Sequence, residues 1–279
     1  MKRRLVSVVG ALIVLWTLAR VDAQQAAPYR ILVTNDDGVR APGLAAMADA
    51  LRTLGEVIVV APSDVQTGRS HAVVTIDPVF RDDILLPSGL RAIGLRTTPA
   101  TTMFIALRNI VTPRPNLVVS GINNAYNLGY SVYRSGTVAG AREAAMYGIP
   151  AIAASMAAAG APDGWAGAAA QVLAIARRLK DAPLGPNTFL NVNVPVAPPG
   201  GYKGVQVTSQ AMMLGGTETF VEMRHPSGRP VYWSVYREGA DAPQGTDIWA
   251  VANGYVSVTP MHVGEYDAGL VDRTRALLK

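Results

Sequence analysis

Strand-length apolar runs alternate with helical segments along most of this chain, and that alternation leaves few folds open. "YRILVTN" is short, apolar and bounded by polar residues, the pattern of a buried strand. "PGLAAMADALRTLG" follows, with Leu44, Met47, Ala48, Leu51 and Leu54 at helical spacing, Pro42 in the first turn and Gly55 placed to close the end. "EVIVVAP" is a second strand, so one βαβ unit is complete by Pro62, and such crossovers favour a right-handed parallel sheet. The pattern recurs: helix in "TPATTMFIALRNIV", strand in "PNLVVSGIN", helix in "GTVAGAREAAMYG" with Gly148 as a stop, strand in "IPAIAASM", helix over 163–180 and strand in "TFLNVNVP". Strands alternating with helices predict an α/β fold, a mostly parallel sheet with helices on both faces.

After Pro195 the character changes. "GVQVTSQAMM" and "PVYWSVY" have the period-2 pattern of strands, separated by turn-rich sequence such as "HPSGRP". "GYVSVTP" reads as a late strand and residues 267–278 as a last helix. The segment from about 200 to 250 is therefore expected to be a β-rich extension of one domain spanning 24–279.

The first 23 residues are set apart from that domain. Lys2, Arg3 and Arg4 precede the apolar run "LVSVVGALIVLWTLA", and Val21 and Ala23 suit cleavage before Gln24, the pattern of a secretory signal peptide. The competing reading, an uncleaved anchor, needs a run of about 20 apolar residues. The expectation is export, to a periplasmic location, with a cytoplasmic protein as the alternative. Removing this segment takes away Lys2, Arg3, Arg4, Arg20 and Asp22, which reduces 25 basic and 20 acidic residues to 21 and 19 and the net charge from +5 to +2. The basic balance thus belongs largely to the leader and gives no support to nucleic-acid binding, which needs a clustered basic face. No later segment is apolar for long enough to span a membrane. The chain has no Cys and 3 His, so disulfides and zinc–thiolate sites are excluded, and a metal here would be hard and oxygen-bound.

In open α/β sheets, ligands bind beyond the carboxyl ends of the strands. Three polar segments fall there: "NDDG" after the first strand, "APSDVQTGRSH" after the second and "SGINNAYNLGYSVYRSGT" after a later one. Asp36 and Asp37 are adjacent carboxylates, and two such groups at one site do not both ionise cheaply without a cation. One reading is a divalent-metal site, with Gly38 letting the backbone turn sharply; the other is a turn or helix cap. Ser135, Gly136 and Thr137 immediately precede a helix, whose N-terminus is either an anion site or simply capped by one of the hydroxyls. A metal and an anion cradle at one sheet edge suggest a phosphoryl substrate and phosphate-ester hydrolysis.

These residues resemble the SurE (survival protein E) nucleotidases. "ILVTNDDGVRAPG" is similar to that family's opening signature, "RPNLVVSGINNAYNLGYSVYRSGTVAGAREAAMYGIPAIAAS" to its central one, and "LNVNVP" and "GTDIWAVANGYVSVTPMHV" to later segments. The resemblance implies a Rossmann-like, doubly wound core with a C-terminal β-hairpin extension that joins subunits into homodimers or homotetramers. It implies a phosphatase that needs one divalent metal ion, Mg, Mn or similar, and hydrolyses nucleoside 5′- and 3′-monophosphates. Carried over by position, Asp36, Asp37, Thr67 and Asn123 bind the metal, while Asn127, Ser135, Gly136 and Thr137 contact phosphate; Asp36, Asp37, Asn127 and Ser135 form the catalytic set. Thr67 stands where relatives usually carry Ser. "TTPATT" places Thr97 and Thr101 where they often carry Gly and Asp, and His71 replaces a small polar residue, with a substrate contact or proton donation as its candidate roles. Two other readings stay open: a phosphatase of another phosphomonoester, and an exported nucleotide- or phosphate-binding protein without turnover. An aspartyl-phosphate enzyme usually has two Asp separated by one residue, which adjacent Asp36 and Asp37 do not match.

Overall fold

The structure, a computed structural model, describes residues 27–157, 164–239 and 241–278. The expected leader over 1–23 lies outside the described residues, as does part of the Ala-rich stretch before the long helix. Eleven strands are described, nine of them in one sheet. They are β1 (Arg30–Thr34), β2 (Glu56–Pro62), β3 (Arg81–Leu85), β4 (Arg91–Leu95), β5 (Leu117–Asn123), β6 (Ala151–Met156), β7 (Thr188–Val194), β8 (Val205–Val207), β9 (Gly216–Arg224), β10 (Pro230–Glu238) and β11 (Val256–His262). The helices are α1 (Pro42–Leu51), α2 (Pro99–Ile105), α3 (Gly136–Met146), α4 (Gly164–Asp181), α5 (Asp247–Ala252) and α6 (Val271–Leu277).

The large sheet runs β3-β4-β2-β1-β5-β6-β7-β11-β8. From β4 to β7 every neighbouring pair is parallel; β3 and β11 run antiparallel to their neighbours β4 and β7. Period-2 alternation splits the central strands between two cores. Ile31, Val33, Val119 and Ile152 face α1 and α4, where Leu44, Met47, Leu51 and Val172 are buried. Leu32, Val118 and Ala153 face α2 and α3, where Met103, Val138 and Ala144 are buried. Each large aliphatic side chain so buried contributes roughly 1.5–3 kcal/mol. Both faces are covered, so the doubly wound α/β expectation holds. The chain leaves β1 toward β2 on one side and later returns to place β5 on the other, which opens the crevice for ligands at the carboxyl ends of β1 and β5.

Other expectations need correction. "GVQVTSQAMM" is a strand only over Val205–Val207; the Thr208 N–H still reaches Val258 O, after which Ser209 and Ala211 turn to bond with the segment carrying Asp247. The helix read through "IALRNIV" ends at Ile105 and passes into a π-helical turn, Ala106–Ile110. β3, β4, β9 and α5 escape the periodicity reading. β9 and β10 pair antiparallel as a separate ribbon whose side chains are largely exposed, Trp233 and Phe220 among them.

Candidate active site

β1 ends at Thr34 and the chain turns through Asn35, Asp36, Asp37 and Gly38. The turn is held from inside, because Asn35 Nδ2 donates to Gly38 O at 3.0 Å and the Val39 N–H to Pro62 O at 2.8 Å. Gly38 has φ +98°, a conformation that L side chains rarely adopt.

Asp36 is 2% exposed. Its Oδ1 accepts the Thr137 hydroxyl at 2.5 Å, and the Thr137 N–H also donates to this carboxylate. Burial pushes the Asp36 carboxyl up to about 6; the Thr137 hydroxyl opposes that rise, and the neighbouring Asp37 adds to it. Asp37 is partly exposed. Burial raises its pKa as well, against the Asn124 N–H, which donates to Oδ2 at 2.9 Å. Among the described residues, no Lys or Arg forms an ion pair with either carboxylate. Two adjacent carboxylates, one buried, thus sit at the crevice without a protein cation.

α3 begins against Asp36. Ser135 is its N-cap, with Oγ accepting the Val138 N–H at 3.1 Å. The approach depends on Gly136: a Cβ there would lie 2.8 Å from Asp36 Cβ, 2.8 Å from Pro99 Cγ and 2.9 Å from Asp36 Oδ2. The structure therefore joins two segments a hundred residues apart, the carboxylate turn and the Ser135-Gly136-Thr137 helix start.

The other expected residues are placed less directly. Asn123 ends β5 and is buried; its Nδ2 is committed to Ala125 O at 2.8 Å, so a cation would take the side-chain carbonyl oxygen. Asn127 lies over the ends of β6 and β7. Its Nδ2 donates to Ser155 Oγ, its N–H donates to Asn193 Oδ1, and its carbonyl accepts from Asn191 and Asn193. Thr67 is exposed and follows Gln66, whose N–H donates to Asp36 O at 2.7 Å, so its loop borders the carboxylate turn. Among the described residues no three His, Cys, Asp or Glu cluster, so a metal at this turn would be held by a mixed set. Two carboxylates supplemented by neutral oxygens suit a hard divalent cation rather than zinc.

His71 is paired with a buried carboxylate. Its Nε2 lies 2.8 Å from Oε2 of Glu143, which is buried on α3 two turns from the helix start. The neighbouring residues are anchored too: Ser70 N–H to Arg134 O, Thr98 Oγ1 to Ala72 O and Val74 N–H to Thr101 Oγ1. Thr101, at the position where the related pattern has Asp, accepts a backbone donor of this loop. His71 therefore ties the loop bearing Thr67 to α3. His71→Ala is expected to cost about 1–3 kcal/mol in stability by leaving the Glu143 carboxylate buried and unpaired, measurable by chemical denaturation. Glu143, Ser155, Asn191 and Asn193 carry no local sequence signal, since each partner is more than 25 residues away.

A mostly parallel, doubly wound sheet with an acidic turn and a helix N-terminus at its switch point defines an α/β protein built to hold a ligand at that edge. The family model described as Survival protein SurE matches residues 31–215. The chain is 38% identical over 252 residues to the protein described as 5′-nucleotidase SurE 1 from Thermus thermophilus, an alignment covering 90% of this chain and 98% of that one. It is similar to the crystal structure of the SurE protein from Aquifex aeolicus, with a TM-score of 0.77, 35% identity, and coverage of 90% of this chain and all of that one. The chain belongs to the SurE family.

Proposed function

We propose that this protein is a divalent-metal-dependent phosphatase that hydrolyses nucleoside 5′-monophosphates, and 3′-monophosphates as a second class, to nucleoside and phosphate. The observation that carries this reading is the direct contact between the uncompensated carboxylate turn and the start of α3, through Thr137 and Gly136. That contact puts a cation-seeking group beside an anion-binding helix end.

Asp36, Asp37 and Asn123 would hold the cation, with the Thr67 hydroxyl supplied by the loop pinned at Gln66. When bound, such an ion lowers the pKa of water and offsets phosphate charge. The chain itself does the positioning. The Gly136 N–H and the Ser135 hydroxyl at the start of α3 would face the phosphate oxygens, and Asn127 is held rigidly by Ser155 and Asn193 at the neighbouring strand ends. Thr137, expected to contact phosphate, instead spends its hydroxyl and N–H on Asp36, where both favour the ionised carboxylate. Fixed donors aimed at phosphoryl oxygens need no reorganisation during reaction, which is how such sites lower the barrier. A binding protein for nucleotide or phosphate would need the α3 cradle but not the paired carboxylates.

The test is phosphate release from a panel of nucleoside 5′- and 3′-monophosphates with Mg²⁺ or Mn²⁺, then with chelator. Turnover that stops with chelator is expected. Metal-independent turnover would exclude this mechanism, and binding without turnover would favour the non-enzymatic reading.

We also propose that residues 1–23 direct export and that the β9–β10 ribbon contacts other subunits in a dimer or tetramer. The exposed Phe220, Met223, Tyr232 and Trp233 support the second point. Replacing Phe220 and Trp233 together by Ser is expected to shift the mass measured by light scattering toward the monomer.

A further inference from the structure

Strand β7 carries two buried amides among the apolar residues Phe189, Leu190, Val192 and Val194. Phe189 faces the α3 side of the sheet, and the two-residue period of a strand puts Asn191 and Asn193 on that same face. Both are 0% exposed, as is Ser155, which lies opposite Asn193 in the register of β6 with β7. An aliphatic residue at either position would extend the core, whereas a buried amide is unfavourable unless its hydrogen bonds are made.

Among the described residues, the hydrogen bonds of both side chains go to one residue, Asn127. Asn193 grips it at both main-chain groups: its Oδ1 accepts the Asn127 N–H at 2.8 Å and its Nδ2 donates to the Asn127 carbonyl at 3.1 Å. Asn191 Nδ2 donates to the same carbonyl at 2.8 Å, while Asn191 Oδ1 is buried with no partner among the described residues. The Asn127 side chain is fixed as well, because its Nδ2 donates to Ser155 Oγ at 2.8 Å. A side-chain amide nitrogen carries two hydrogens, so one remains for a ligand. Asn127 itself lies in the connector from β5 to α3, between Asn123 and Ser135.

We infer that Asn191 and Asn193 are positioning residues of the phosphate site, which touch no phosphate themselves and hold Asn127 so that its remaining Nδ2 hydrogen meets a phosphate oxygen. The inference rests on the nucleotidase reading for the role of Asn127 and adds why β7 keeps two buried amides. Asn191, with half of its amide unpaired, serves the site rather than the fold.

Stability and binding therefore part company in the variants. Asn191→Leu keeps the branched shape, removes a buried oxygen that has no partner and leaves Asn193 on the Asn127 carbonyl, so its denaturation midpoint should equal or exceed that of the wild type. Asn193→Ala leaves the Asn127 N–H without its acceptor. In the full chain with Mg²⁺, calorimetric titration of inorganic phosphate should show binding weakened about tenfold in each variant, the scale of one hydrogen bond. KM for adenosine 5′-monophosphate should rise to a similar degree, with Mn²⁺ affinity of the metal-stripped chain unchanged. Asn127→Ala should lose phosphate affinity equally, and adding Asn191→Leu to it should cause no further loss, because the clamp then holds nothing that reaches phosphate. A clamp that serves only the fold gives another pattern, a lower midpoint in Asn191→Leu and losses that add in the Asn127→Ala background. That pattern would overturn the inference, as would wild-type phosphate affinity in both variants or a wild type that binds no phosphate. Nucleotide hydrolysis by the wild type decides the nucleotidase reading separately: if phosphate binds but no nucleotide is hydrolysed, that reading fails, and the phosphate affinities of the variants still decide the clamp.

Discussion

Asp37→Asn is expected to remove nucleotide hydrolysis, by at least about a hundredfold, while leaving the chain folded. The change is isosteric, and Asp37 is only partly buried, so little packing is lost. Its Oδ2 accepts one backbone N–H, from Asn124, and an asparagine Oδ1 accepts the same bond. What is lost is charge. With no Lys or Arg paired to either carboxylate among the described residues, the anionic pair is a strong local attraction for a divalent ion, and neutralising half of it weakens binding of the ion. Changing a residue that merely orients a metal ligand already costs 10–100-fold in affinity or activity, so direct loss of a ligand charge falls beyond that range. Steady-state phosphate release, with circular dichroism to check the fold, measures both halves of the expectation. Full activity in the folded variant would count against a role for the pair.

Gly136→Ala is expected to be nearly as severe by a different route. The added methyl would lie under 3 Å from atoms of Asp36 and Pro99, all of them in buried or backbone-anchored positions. Either α3 withdraws or the Asp36 side chain rotates away from Thr137. Overpacking of this kind costs typically 1–3 kcal/mol of stability. A displacement of about 1 Å between the helix start and the carboxylate turn is enough for a loss near a hundredfold in rate, because phosphate and cation would no longer be held in register. A denaturant midpoint and kcat measured together separate the two effects. A variant that is destabilised but retains wild-type kcat would mean that the contact serves the fold alone.

Much of this molecule is readable from local pattern because the parallel strands are buried on both faces and the helices have one apolar side. β1, β2, β5, β6 and β7 announce themselves as short, largely apolar runs, and α1 through Leu44, Met47 and Leu51 at helical spacing. β3 and β4 do not, because an edge strand such as "RDDIL" is polar, and Asp82 and Asp83 there are spent on Arg96 and Arg81. β9 is missed for the related reason that a ribbon exposed on both faces has no buried alternation to read. α5 has six residues, too few for periodicity, and its start is set by the Thr246 cap and the buried Asp247.

The site divides the same way. The motif residues Asp36, Asp37, Asn123, Ser135, Gly136 and Thr137 stand out because adjacent charges, an Asn-rich loop and a Ser-Gly-Thr helix start are locally odd. What joins them is not local. The Thr137–Asp36 bond spans 101 residues, and the reason for glycine at 136 appears only once Asp36 and Pro99 are beside it. His71 shows the limit most clearly: the sequence presents a lone loop histidine, and its partner Glu143 lies 72 residues on.

In the proposed function, the repulsion between Asp36 and Asp37 is maintained for a cation. Calorimetric titration of Mn²⁺ into the metal-stripped wild type and into Asp37→Asn tests it without reference to turnover. One site per chain in the wild type, and its loss or a weakening of at least tenfold in the variant, is the predicted result. A wild type that binds no Mn²⁺, or a variant that binds it as tightly as the wild type, would contradict it.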